Sequence, residues 1–293
     1  MSGGNPRFEA VVFAGGGSRC FWQLGFWAVA APELGLAPRL VSAVSAGSAI
    51  ACAALLQRCE ETLRRFQRAT SRNPRNAYPA NLLSGEPVFP HHRMYREAIL
   101  EVVDEAALRR LHEGPELRVV IGHAPPWIDG RLALLLGLGC YLVGKRAGDP
   151  VHSPLARRAG FSATVVSVRS CRTPQELAEL CIASSCTPPF TPALRWQGRP
   201  VVDGSLYDPA PLFAIEDDLA SGAQTLVLLS RRYGRMPAPV PGRIYVSPSR
   251  PVAISKWDYT SPEKLQQAYD LGRADAERFV REHVPRRIGW QAR

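Results

Sequence analysis

Long apolar runs are missing from this sequence. The most hydrophobic stretch, Leu132 to Val143, is too short to cross a bilayer, so no spanning helix is expected. It reads as a buried helix, with an interfacial insertion element as the alternative. No charged start, apolar core and cleavage site precede Phe8 to Phe13, which already reads as buried sheet, so secretion is not indicated. The seven cysteines (20, 52, 59, 140, 171, 181 and 186) are scattered and lack the short paired spacings of a zinc site. They suit a reducing compartment, and a cytoplasmic placement is expected. His91 and His92 have no third ligand nearby in the sequence, so no metal and no other cofactor is expected.

Lysine is also scarce. Of 36 positive side chains only Lys145, Lys256 and Lys264 are lysine, and the net charge is +10. Arg58, Arg64, Arg65, Arg68, Arg72 and Arg75 stand against only Glu60 and Glu61, a patch suited to peripheral contact with an anionic membrane. No basic strand interleaved with aromatics and no recognition-helix pattern accompanies the charge, so nucleic acid is not an expected partner.

What the chain does contain is alternation. Phe8 to Phe13 and Leu40 to Val44 read as strands, each followed by a helical stretch (Phe21 to Ala30, Ala46 to Gln57), which is βαβ rhythm. Residues 60–69 continue as helix, and Ser71 to His92, rich in Asn, Pro and Arg, reads as a long loop. A single helix is expected over Met94 to Leu111. Leu117 to Gly122 and Ala163 to Val168 read as interior parallel strands, with Thr225 to Leu229 and Arg243 to Val246 similar. Leu194 to Val202 reads as a hairpin, and Pro262 to His283 as a closing helix capped by Ser261. With 46% hydrophobic residues, one domain over 1–293 is expected, its core in 8–229 and its closing helix in 261–283.

Three short segments carry chemistry. Ser42-Ala43-Val44-Ser45-Ala46-Gly47-Ser48 places a serine on a tight strand-to-helix bend with small neighbours. Gly15-Gly16-Gly17-Ser18-Arg19 offers backbone amides at another strand-to-helix junction. A phosphate loop or dinucleotide fingerprint does not fit there. The Lys-Ser/Thr pair is missing, Cys20 replaces the third dinucleotide glycine, and no acid ends the second strand. An oxyanion hole made of Gly15, Gly16, Gly17 and the Ala46 amide remains. Arg19 either braces that loop or contacts an anionic group of the substrate. Asp203, at a strand end with Gly204 behind it, is the candidate proton acceptor.

These residues resemble the patatin-like phospholipase family, whose pattern is Gly-Gly-Gly-x-Arg-Gly, Gly-x-Ser-x-Gly, Ala-Ser-x-x-x-Pro-Pro and Asp-Gly-Gly/Ala in that order. The likeness runs from about Phe8 to Leu229, with Gly25 and Pro211 also matching and an echo at Ala268 to Gly272. This sequence departs from the pattern at Cys20, Ala43, Ser205 and Pro209. The resemblance implies a three-layer α/β/α sandwich with a central, mainly parallel sheet. It implies Ser45 as nucleophile and Asp203 as base of a Ser-Asp dyad, acting on a lipid acyl ester without calcium.

Three alternatives stand beside it. Ser45, Asp203 and His283 follow α/β-hydrolase triad order, and His123 ends a strand that could reach the site. An acyltransferase would use the same residues. A catalytically silent lipid- or protein-binding scaffold is the reading from a different class. Phe21, Trp22, Phe26 and Trp27, beside the glycine loop, read as core, with an acyl channel as their other use.

Overall fold

The computed structural model describes residues 8–125, 150–152, 154–188 and 190–283. The run 132–143, expected to be a buried or interfacial helix, lies outside them. The strands are β1 (Phe8–Phe13), β2 (Leu40–Val44), β3 (Glu116–His123), β4 (Ser162–Ser167), β5 (Arg195–Trp196), β6 (Arg199–Val202), β7 (Gln224–Leu228) and β8 (Arg243–Val246). The principal helices are α1 (Phe21–Leu34), α2 (Ala46–Leu55), α3 (Cys59–Ser71), α4 (His91–Val102), α5 (Glu105–Glu113), α6 (Pro174–Ser184) and α7 (Pro262–His283).

All eight strands join one mixed sheet. β3, β2, β1, β7 and β8 lie side by side and parallel, while β4, β5 and β6 run antiparallel to their partners. Alternate residues of the central strands serve opposite faces. Val11, Phe13, Leu226 and Leu228 face a large core to which α1 to α7 all contribute. Ala10, Val12, Val227 and Leu229 face a smaller core closed by Ala210, Leu212 and Ile215, where the chain makes short 3-10 turns. The expected α/β/α layering is present, with the long helices on one side among the described residues.

Two local expectations are corrected. Residues 162–167 form a strand, but it is antiparallel to β3 and only partly buried, because an apolar run reports burial and not strand direction. The helix expected over 94–111 is two helices. Val103 and Asp104 are extended between them, and the Asp104 carboxylate accepts from the Ala107 amide (2.7 Å), a cap that restarts the helix.

The closing helix crosses α1 at two glycines. A methyl group on Gly25 would collide with the Tyr269 carbonyl, and one on Gly272 with the Trp22 carbonyl, so the two backbones approach where side chains would hold them apart. Trp22 Nε1 donates to buried Asp275 across the same crossing (2.8 Å). Gly25→Ala is therefore expected to cost about 1–3 kcal/mol by overpacking, lowering Tm by roughly 2–10 °C in a circular dichroism melt.

Candidate active site

Strand register brings the nucleophile candidate and its partner together. β2 pairs with β3 as far as Val44 opposite Val120. β4 occupies the other edge of β3 from Arg118 to His123, so β6, which pairs at Gly122 and His123, must take over the edge that β2 has left. β6 runs antiparallel, with Val202 opposite Gly122. Ser45 follows Val44 and Asp203 follows Val202, so the two chains run toward each other and meet opposite Ile121. Ser45 Oγ donates to Asp203 Oδ2 at 2.9 Å, and both residues are only 2% exposed.

The Ser45 backbone has φ 54° and ψ −139°, a sparsely populated conformation for a side-chain-bearing residue that costs about 1–3 kcal/mol. Its surroundings hold it there. The Ser45 amide donates to Ser184 Oγ (2.7 Å), Ser184 Oγ donates to the Val120 carbonyl (2.7 Å), and the Ser48 amide donates to the Ser45 carbonyl (2.9 Å). Gly47 is required by clearance, since a Cβ there would lie 2.6 Å from the Ala14 oxygen and 2.7 Å from that of Phe13. The Ala46 amide opens α2 and belongs to the unpaired N-terminal set that favours negative charge.

Asp203 Oδ1 accepts from the Ser205 amide (2.8 Å). Its Oδ2 also receives Lys256 Nζ at 3.3 Å and Thr187 Oγ1 at 3.4 Å. Neither of these two was singled out from sequence. Lys256 carried a signal, as one of three lysines in an arginine-dominated chain. Thr187 carried none. A carboxylate this buried is costly unless it is paired, and the ammonium offsets its charge.

The three glycines do different work. The Gly15 amide already donates to the Pro209 carbonyl (3.0 Å), so this member of the expected hole supplies clearance: a methyl group there would strike Ser205 and approach Ser45 Cβ. The Gly16 and Gly17 amides have no acceptor among the described residues. At Gly17, φ is 59°, and a side chain would collide with the Lys256 carbonyl. Arg19 Nε donates to the Gly16 carbonyl (3.2 Å), the bracing alternative. Burial pushes the Cys20 thiol up to about 12, and its Sγ donates to the Ala14 carbonyl, so it is not a competing nucleophile.

An apolar cavity starts at Gly17, Ser18 and Ala46 and runs between α2, α3 and α4 past Ile50, Phe66 and Ile99. The cavity itself is narrow, about 50 Å³, and opens to solvent. Phe21 lines it. Trp22 and Phe26 instead pack in the helical core, and Trp27 lines a separate groove. The two candidate histidines are engaged elsewhere. His283 Nδ1 contacts the Phe279 carbonyl (2.8 Å) at the end of α7, while both His123 nitrogens are bound, to the Pro200 carbonyl (3.2 Å) and Thr164 Oγ1 (2.8 Å). Among the described residues no group of three or more His, Cys, Asp or Glu could hold a metal ion, and no helix is long and apolar enough to cross a membrane.

A family model described as patatin-like phospholipase matches residues 11–215. Among solved structures, that of VipD from Legionella pneumophila aligns with a TM-score of 0.47 and 12% sequence identity, covering 95% of this chain and 67% of that one. No curated protein matches the chain.

The rim of the site carries a pH dependence. His91 is buried with Nε2 on the Trp257 carbonyl (2.9 Å), and its Nδ1 has no partner among the described residues. Burial lowers its pKa, as it does for His92 and His123. The unfolded chain therefore binds protons more readily than the folded one. Stability should be full above about pH 6.5 and fall as pH drops through the lowered folded values. In a Tm series against pH, His91→Gln, which can still donate to Trp257, should give a shallower decline.

Proposed function

The chain belongs to the patatin-like phospholipase family, a family of lipid-ester hydrolases, and from that premise we propose that it cleaves carboxylic esters of phospholipase A or lysophospholipase type through a Ser45–Asp203 dyad. The observation that carries this reading is the 2.9 Å hydrogen bond from Ser45 Oγ to Asp203 Oδ2 at the strained bend. As Oγ forms its bond to the acyl carbon, its proton passes to Oδ2 and the carbonyl electron pair moves onto oxygen. Collapse of that intermediate expels the alcohol, which takes the proton from Asp203 and leaves an acyl-serine. Water then repeats the sequence and regenerates Ser45.

The amides of Gly16, Gly17 and Ala46 are the donors for the oxyanion, each typically worth about 2.7–4 kcal/mol in the transition state. Gly15 keeps the approach open, and Arg19 steadies the loop through the Gly16 carbonyl. The apolar groove that begins at Gly17 and Ala46 offers an apolar wall to an acyl chain, which supports a lipid ester over a polar one. Lys256 and Thr187 hold Oδ2 toward the serine. A carboxylate base is weak at neutral pH, so turnover should be modest.

An alkyl fluorophosphonate should add its mass to the wild-type protein and not to Ser45→Ala. An unlabelled wild type, or equal labelling of both, would leave the scaffold reading in its place. Asp203→Asn should lower kcat by about 10²–10⁴ with an unchanged circular dichroism spectrum. Lys256→Met leaves the buried Asp203 carboxylate without its counter-charge and removes one of the groups that hold Oδ2 toward the serine. A kcat lower by about tenfold at unchanged KM for a short-chain ester is expected, with partial rescue by Lys256→Arg.

A further inference from the structure

Residues 72–90 leave the body between α3 and α4 as a loop closed on itself. The Tyr78 amide donates to the Val88 carbonyl (2.8 Å), the Glu86 amide to the Asn81 carbonyl (3.1 Å), and Asn81 Nδ2 to the Pro87 carbonyl (2.9 Å). The tip is a 3-10 turn, Pro79–Leu83, that buries none of its residues. Leu82 is 73% exposed and Leu83 95%, well beyond any other large apolar side chain among the described residues.

Both ends of this loop are fastened to the segments that touch Asp203. At its start, Asn73 Nδ2 donates to the Tyr259 carbonyl (2.9 Å), and the Tyr259 amide donates to Asn76 Oδ1 (2.8 Å). At its end, Phe89 packs on Phe190 (ring centroids 4.8 Å apart), which stacks on Trp257 (4.4 Å). Trp257 and Tyr259 follow Lys256, and Phe190 shares a loop with Thr187. The base of the loop that carries the leucine tip therefore stands beside the segments that touch Asp203.

Charge at the base of the loop completes the pattern. Arg58 pairs with Asp104, Arg64 with Glu60 and Arg65 with Glu61, so half of the basic patch seen in sequence is neutralised. Arg68, Arg72, Arg75 and Arg93 are exposed and make no ion pair among the described residues, and Glu86 is the lone acid between residues 68 and 93. Two leucines at a tip with arginines at its root match the layering of a bilayer surface, acyl chains below anionic headgroups.

We propose that residues 72–90 dock the protein on an anionic membrane, with Leu82 and Leu83 entering the acyl layer and Arg68, Arg72, Arg75 and Arg93 meeting the headgroups. The inference rests on the lipid-ester reading, because a substrate that resides in a bilayer must be met at the rim of the site. Docking here would set that rim against the surface from which the ester is drawn.

The test uses the full chain carrying Ser45→Ala, so that vesicles stay intact, and mixed phosphatidylglycerol and phosphatidylcholine vesicles. The protein should sediment with them, less so as salt is raised. Leu82→Glu with Leu83→Glu should weaken binding by at least about tenfold. Arg72→Gln with Arg75→Gln should remove the preference over pure phosphatidylcholine. With Ser45 restored, the leucine pair variant should lose about tenfold of its activity on vesicular phospholipid and none on a soluble short-chain ester.

The proposal is overturned if Ser45→Ala protein stays off anionic vesicles, or if the leucine variant binds them as tightly as its parent. It is also overturned if those substitutions dissolve a dimer at unchanged vesicle affinity, which would make the tip a contact between copies. Fluorophosphonate labelling separates the two readings. Vesicle binding without labelling removes the hydrolase reading alone, and labelling without vesicle binding removes the docking loop alone.

Discussion

Strand β3 lends one edge to two partners that arrive from opposite directions. β2 pairs up to Val120, β6 takes over at Gly122, and the two chains leave the sheet facing each other across a single residue. This shared edge sets the Ser45–Asp203 distance more firmly than any loop could, because hydrogen-bonded register moves only in whole residues. β4 on the opposite edge leaves no other place for β6. Gly122 and Gly204 permit the meeting: a Cβ on Gly122 would press on the Val202 and Asp203 carbonyls, and one on Gly204 would press on the Val120 carbonyl and Val44.

Around that meeting point most buried polar groups are paired, with Ser205 Oγ an exception among the described residues. The strained Ser45 backbone is tied through Ser184 to β3, and Asp203 is held by an amide, an ammonium and two hydroxyls. Each tie offsets a desolvation cost that would otherwise fall on a buried donor or charge. The glycine loop is fixed by the same means, with the Gly15 amide on Pro209, the Ser18 amide on the Lys256 carbonyl and Ser230 Oγ on the Gly15 carbonyl. The Gly16 and Gly17 amides keep no acceptor among the described residues, and in the proposed mechanism they are the donors that meet the developing negative charge.

Much of this was legible in the residues. Small side chains around Ser45 announced a close strand–helix approach, and Gly47 sits against the Phe13 and Ala14 carbonyls. Gly25 and the Gly272 echo were visible only as matches to a pattern, and their physical cause is the crossing of α1 and α7. The direction of β4 was not legible, because an apolar run looks the same either way round. Nor was the break at Asp104, where an extended Val103 interrupts a pattern that reads as continuous helix.

The sequence alone determined the chemistry on offer: a serine hydroxyl at a bend, a carboxylate at a strand end and a glycine loop rich in amides. These are local signals, carried by backbone sterics and side-chain type within a few residues. Tertiary structure decided which of them act together. Lys256 joins Asp203 from 53 positions away, His283 and His123 are spent on other partners, and Gly15 gives its amide to Pro209. Such pairings depend on strand register and on competition among buried donors and acceptors, which no window of neighbouring residues contains.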